Sequence, residues 1–131
     1  SEIVIIPESI GQLSNLKWLY AHNTQLITLP ESIGELSSLE DLILPYNQLT
    51  TIPESIGDLS NLKYLNVQFN QLTSIPESIC HLPNNCNIDV NKNELCDYYY
   101  YYDCIDDFWG TQDQSNCCEG PEGQENWTNC P

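Results

Sequence analysis

The chain has 131 residues, and 19 acidic side chains face only three basic ones, for a formal net charge of −16. That balance excludes nucleic acid and anionic membrane as partners, because both are held by basic patches. Apolar residues suffice for one core, but no apolar run reaches the length of a membrane span, so no membrane insertion is expected.

The chain opens on Glu2-Ile3-Val4-Ile5-Ile6, an apolar, β-prone stretch. From Ile6 the string IPESIG begins. It returns as LPESIG at Leu29, IPESIG at Ile52 and IPESIC at Ile75, 23 residues apart each time. A fixed stride of this length means stacked repeats, each hiding its apolar side chains only against its neighbours.

The unit from Ile52 continues through Leu59, Leu62, Leu65, Val67, Asn70 and Leu72, and the unit from Leu29 through Leu36, Leu39, Leu42, Leu44, Asn47 and Leu49. The first unit places Leu13, Leu16, Leu19, Ala21, Thr24 and Leu26 at these positions. The last places Leu82, Ile88, Val90, Asn93 and Leu95, with Asn85 where a leucine is expected. Leu42-Ile43-Leu44 and Leu65-Asn66-Val67 alternate as half-buried strands should. Pro7, Pro30, Pro53 and Pro76 fit the first position of a helical turn. The glutamate after each (Glu8, Glu31, Glu54, Glu77) complements the positive end of that turn. Gly11, Gly34 and Gly57 permit a close approach that a side chain would hinder. Asn47, Asn70 and Asn93 are predicted to form an inward ladder bonded to the backbone of neighbouring coils, because buried polar groups need partners. Thr24 fills that role only in part.

This pattern resembles the leucine-rich repeat family in its 23-residue form, LxxLxLxxNxL, from Ile3 to Leu95. The resemblance implies an α/β solenoid: a short right-handed stack with parallel strands on its concave face, spanning residues 1–95 and opening in mid-repeat. Outward strand positions then form columns across the coils. Trp18, Tyr20, His22, Ile43, Tyr46, Tyr64, Asn66 and Phe69 share that face and make the candidate binding surface, since aromatic residues are favoured where proteins meet partners.

Composition shifts after Leu95. Residues 96–131 carry five of the seven cysteines and no Lys or Arg, which predicts an irregular, disulfide-stapled acidic cap. Cys80 stands in the slot that glycine fills elsewhere, and a local Cys80–Cys86 bridge is expected. Cys96 and Cys104 bracket Tyr98, Tyr99, Tyr100, Tyr101 and Tyr102 and are expected to pin that run. Cys117 and Cys118 take separate partners. With Cys130 the set is odd, leaving one thiol buried or linking two subunits. As a strand, the tyrosine run sends alternate rings to opposite sides, one set covering the last coil and the other facing outward. The cysteines and the acceptor sequon Asn126-Trp127-Thr128 point to an extracellular protein whose signal peptide has been removed.

No GxxxxGK, HExxH or nucleophile-elbow motif occurs, so no catalytic residue is assigned. No CxxC pair exists, the histidines are His22 and His81, and the Asp103, Asp106 and Asp107 cluster lacks a calcium-loop signature. Neither metal nor cofactor is expected. Two functions remain. In the first, copies of the chain join head to tail, the open edge at Ile3, Val4 and Ile5 docking on the Tyr98–Tyr102 region of the next copy, extensible as a filament. In the second, the concave aromatics bind a protein or a glycan.

Overall fold

The computed structural model describes residues 4–96, 104, 110–113 and 115. Within them run four strands of three residues: β1 (Trp18–Tyr20), β2 (Asp41–Ile43), β3 (Tyr64–Asn66) and β4 (Asn87–Asp89). They form one parallel sheet in sequence order. Each coil adds a five-residue 3-10 helix on the opposite side, at Glu8–Gln12, Glu31–Glu35, Glu54–Asp58 and Glu77–His81. The helical half of the solenoid is therefore the tighter 3-10 form.

The prolines do not occupy the first helical position that the sequence predicts. Each caps its turn from outside, in extended conformation, as at Pro53 with φ −66° and ψ 151°. The Pro53 carbonyl accepts the Ile56 N–H at 3.0 Å, and the other three coils repeat this bond. Proline has no N–H to lose there, and its fixed φ leads the chain into the turn.

Stacking decides burial. Leu36, Leu39, Leu42, Leu44 and Leu49 of the second coil are fully covered, as are Leu59, Val67 and Leu72 of the third. Their counterparts Leu16, Leu19 and Ala21 in the first coil are only half-buried, and Leu13 is exposed. The same side chain is core when coils flank it on both sides and rim when they do not.

Two ladders and one close approach tie the coils. Asn70 donates its amide to Leu44 O of the preceding coil at 3.0 Å and to Val67 O of its own at 2.9 Å. Its Oδ1 accepts the Leu49 N–H at 3.0 Å. Asn47 and Asn93 make the equivalent bonds, to Ala21 O and from Leu26 N–H, and to Val67 O and from Leu72 N–H. Thr24, at the ladder's first rung, donates its hydroxyl to Asn47 Oδ1. On the helical side, the hydroxyls of Ser32, Ser55 and Ser78 donate to the carbonyls of Glu8, Glu31 and Glu54, at 2.6–2.7 Å. Ser32 N–H also reaches the Glu8 carboxylate at 3.2 Å. Gly34 and Gly57 make this packing possible. A Cβ on either would lie 2.5 Å from the backbone oxygen of Ser55 or Ser78 in the next coil.

That geometry explains a correction. Cys80 bonds to Cys104, with Cα atoms 5.6 Å apart, and not to Cys86, whose thiol is free. The glycine slot points its Cβ along the stack toward the next coil. At position 80 no further repeat follows, so a side chain fits and reaches forward into the C-terminal segment. Cys96 is also disulfide-bonded. Asn85 is exposed, which explains why a leucine is dispensable there.

The last coil has its open backbone met by residues 110–113. Gln112 Oε1 accepts the N–H groups of Asn93 and Leu95, at 3.2 and 3.3 Å, while its amide donates to Val90 O at 2.8 Å. The bonds to Leu95 and Val90 are those that Asn93 makes to Leu72 and Val67 of the coil before it. Lys92 N–H donates to Thr111 O and Asp113 N–H to Asn93 O, both at 2.7 Å. A short non-repeat segment thus imitates one rung of a further coil.

Candidate functional site

The strand register builds the outward face of the sheet. Trp18 lies opposite Asp41, Asp41 opposite Tyr64, and Tyr64 opposite Asn87. The second column runs Tyr20, Ile43, Asn66, Asp89 in the same way. Trp18, Tyr20 and Tyr64 are 59%, 62% and 51% exposed, large values for aromatic side chains on a sheet. Ile43 and Asn66 are half-buried. Asn66 is occupied locally, its Oδ1 accepting the Gln68 N–H at 3.0 Å.

Tyr20 donates its hydroxyl to Asp41 Oδ2 at 2.7 Å, across two adjacent strands. That hydrogen bond, chiefly, holds the tyrosine proton more tightly than usual. Behind this pair, Lys63 forms an ion pair with Glu40 at 2.9 Å. The Lys63 ammonium holds the Glu40 carboxyl below its ordinary range, and Glu40 in turn raises Lys63.

A third aromatic group lies where the strands turn. Tyr46 and Phe69 stack with ring centroids 4.4 Å apart and planes 8° from parallel, and His22 packs on Tyr46 at 5.2 Å in a tilted arrangement. Both Tyr46 and Phe69 have left-handed backbone, with φ of 58° and 54°, as do Asn23 and Lys92 of the same column. This conformation swings the following residue inward, and that residue is the ladder asparagine. It is costly for a bulky side chain, and it recurs in all four coils because the residue that follows must turn inward.

Sequence reasoning missed the residues on the other side of this column. Gln25, Gln48 and Gln71 line a shallow groove of about 400 Å³ with Asn23, Tyr46 and Phe69. Through Asn70, Gln71 and Lys92 it adjoins a second hollow of about 530 Å³ bounded by Glu94, Thr111, Gln112 and Asp113. The glutamine repeats at the 23-residue stride directly after Thr24, Asn47 and Asn70, a signal visible in the sequence but lost beside the leucines.

Of the residues assigned to the open edge, Val4 and Ile5 are exposed, Ile5 by 73%. Ile3, Tyr98 to Tyr102, Cys117, Cys118, Cys130 and Asn126 lie outside the described residues. Among the described residues no group of acidic, histidine and cysteine side chains is arranged to hold a metal ion, and no helix is long and apolar enough to cross a membrane.

Cys86 is a free thiol beside the Cys80–Cys104 bridge, lining the same small hollow. Burial pushes its pKa from the ordinary 9.0 up to about 11. At pH 8 its thiolate population is therefore about 100-fold below that of an ordinary thiol. Alkylation by iodoacetamide, followed at the Cys86 peptide by mass spectrometry, is expected to be slow at pH 8 and to accelerate about tenfold per pH unit until near pH 11.

The family model of a leucine-rich repeat region matches residues 5–84. No curated protein matches the chain. Among solved structures, a leucine-rich repeat protein of Leptospira interrogans is 32% identical with a TM-score of 0.55, over 69% of this chain and 29% of that one. The crystal structure of PEPR1-AtPEP1 gives 36% identity and a TM-score of 0.64, over 71% of this chain and 14% of that one. The BIR3–SERK2 complex from Arabidopsis thaliana gives 28% and 0.54, over 67% and 49%. The chain spans less than half the length of each of these three.

Proposed function

Because the chain belongs to the leucine-rich repeat family, we propose that it is a non-enzymatic recognition module that grips a protein segment on its concave face. The observation that carries this reading is the exposure of Trp18, Tyr20 and Tyr64 on one sheet, with Trp18 and Tyr64 flanking Asp41. Large aromatics near the centre of a surface supply most of the energy of protein association. The stacked Tyr46–Phe69 pair extends the same face. The BIR3–SERK2 complex, one of the similar structures, is an association of two proteins. The disulfides at Cys80–Cys104 and Cys96 support an extracellular setting, where such bonds persist.

Selection of a random-peptide display library on the immobilised chain tests the proposal. The expected result is a set of enriched peptides whose affinity falls at least tenfold in Trp18→Ala and in Tyr64→Ala. Both variants should keep the wild-type melting temperature, because both side chains are exposed. Peptides indifferent to these substitutions, or a glycan array that binds where no peptide does, would overturn it.

Self-association has narrower support. Val4, Ile5 and Leu13 leave an apolar flank on the first coil, and such a flank accepts either a further coil or another molecule. If copies join there, Ile5→Asp converts large species to monomers in analytical ultracentrifugation without altering the later coils. Monomeric wild-type chain at micromolar concentration would refute this second reading.

A further inference from the structure

We propose that the concave face carries a cation-recognition site, centred on Asp41 and walled by Trp18, Tyr20 and Tyr64, that takes an arginine side chain of an extended basic peptide. The inference rests on the protein-recognition reading and names the chemistry of the partner.

The placement follows from register. Asp41 sits on the middle strand with Trp18 on one side and Tyr64 on the other. Parallel strands lie about 4.8 Å apart, so a group over Asp41 is about 5 Å from each aromatic position. A cation is attracted to the face of Trp or Tyr within about 6 Å of the ring centre. The carboxylate supplies the countercharge, and the Tyr20 hydroxyl steers it by holding Oδ2 at 2.7 Å. Oδ1 carries no protein hydrogen bond among the described residues, and a carboxylate has room for several donors.

The neighbouring charges sharpen the assignment. Asp89, the other strand carboxylate of this face, is folded back on its own chain. Its Oδ1 accepts both the backbone and side-chain N–H of Asn91 at 3.0 Å. Lys63 bonds Glu40 at 2.9 Å and acts on Asp41 through space only, so Asp41 makes no ion pair among the described residues. A net charge of −16 draws cations toward the chain and repels anionic ligands. A neutral sugar would stack on the rings and donate hydroxyls to the carboxylate, but would leave its charge uncompensated. Arginine uses both rings and charge, since its planar guanidinium stacks on rings while its N–H groups donate to an acid.

The test uses the full chain, the display library and Asp41→Asn, which keeps an acceptor for Tyr20 while removing the charge and one acceptor oxygen. The expected result is enrichment of peptides with arginine or lysine at one shared position. Their affinity should fall at least tenfold in Asp41→Asn and at least tenfold between 50 and 500 mM salt, with the melting temperature of the variant unchanged. Enriched peptides that lack a basic residue, or basic ones that bind Asp41→Asn as well as wild type, overturn the cation site. If those same peptides still depend on Trp18 and Tyr64, recognition on the concave face survives without it. Peptides indifferent to all three positions, or no enrichment, overturn both.

Discussion

Replacing Asn70 with aspartate is expected to cost about 3–5 kcal/mol at neutral pH, the range for a buried charge without compensation. The exchange is nearly isosteric, so packing does not confuse the result. Oδ1 still accepts the Leu49 N–H. The two donors are gone, and a charged oxygen instead faces the carbonyls of Leu44, Val67 and Gln68. The protonated acid restores one donor. The folded state therefore holds its proton more tightly than the unfolded chain, and stability should rise as pH falls toward the ordinary carboxyl range. Asn70→Ala is a milder lesion. Leu44 O keeps a bond from Asn47, and Val67 O keeps one from Asn93. Only the Leu49 N–H loses its sole ladder partner, at about 1–3 kcal/mol plus the void. Urea melts of both variants at pH 4.5 and 7 check the order and the sign. An Asn70→Asp protein that is equally stable at both pH values would mean that this rung is hydrated.

Gly57→Ala should destabilise by about 2–3 kcal/mol, against the usual gain of nearly 1 kcal/mol for this exchange in a helical turn. The backbone of Gly57 does not require a positive φ, so conformational freedom is not at issue. Space is. The new Cβ would sit 2.5 Å from the Ser78 carbonyl oxygen and 2.8 Å from its Cβ, and both belong to the neighbouring coil rather than to a movable side-chain tip. Relief requires the third and fourth coils to part on the helical side, which breaks the 2.6 Å bond from the Ser78 hydroxyl to Glu54 O. Cys80 is the built-in control, because the same slot accepts a side chain where no repeat follows. Calorimetry of Gly57→Ala, in which the Cys80–Cys104 bridge is kept, reads the steric effect alone. A Gly57→Ala protein as stable as wild type would show that the coils slide freely.

The stride made most of the scaffold legible. Leucine spacing located the sheet, and counting in steps of 23 put Trp18 and Tyr64 on one face, where the strand register sets Asp41 between them. The asparagine rungs followed from the rule that buried amides need partners. What escaped were features set by contacts outside the stride. One further period from Asn93 leads to Asn116 (93 + 23 = 116), yet the group that completes the last rung is Gln112, four residues earlier. No periodicity announces that. The left-handed backbone of Tyr46 and Phe69 opposes local preference, since neither residue type favours it. It is enforced by the inward asparagine that follows. The pairing of Cys80 turned on the direction of one Cβ rather than on separation along the chain. Reading the glycine-to-cysteine exchange as a change of neighbour would have favoured the distant partner over Cys86.

The one-to-one matching of coils also bears on how such a protein changes over generations. Each middle unit offers its successor the surface that it received from its predecessor. A duplication of residues 52–74 would therefore drop into place, shifting both ends apart by about 5 Å without rewriting either. Selection can lengthen the grip by copying a unit, then vary the two outward strand positions alone.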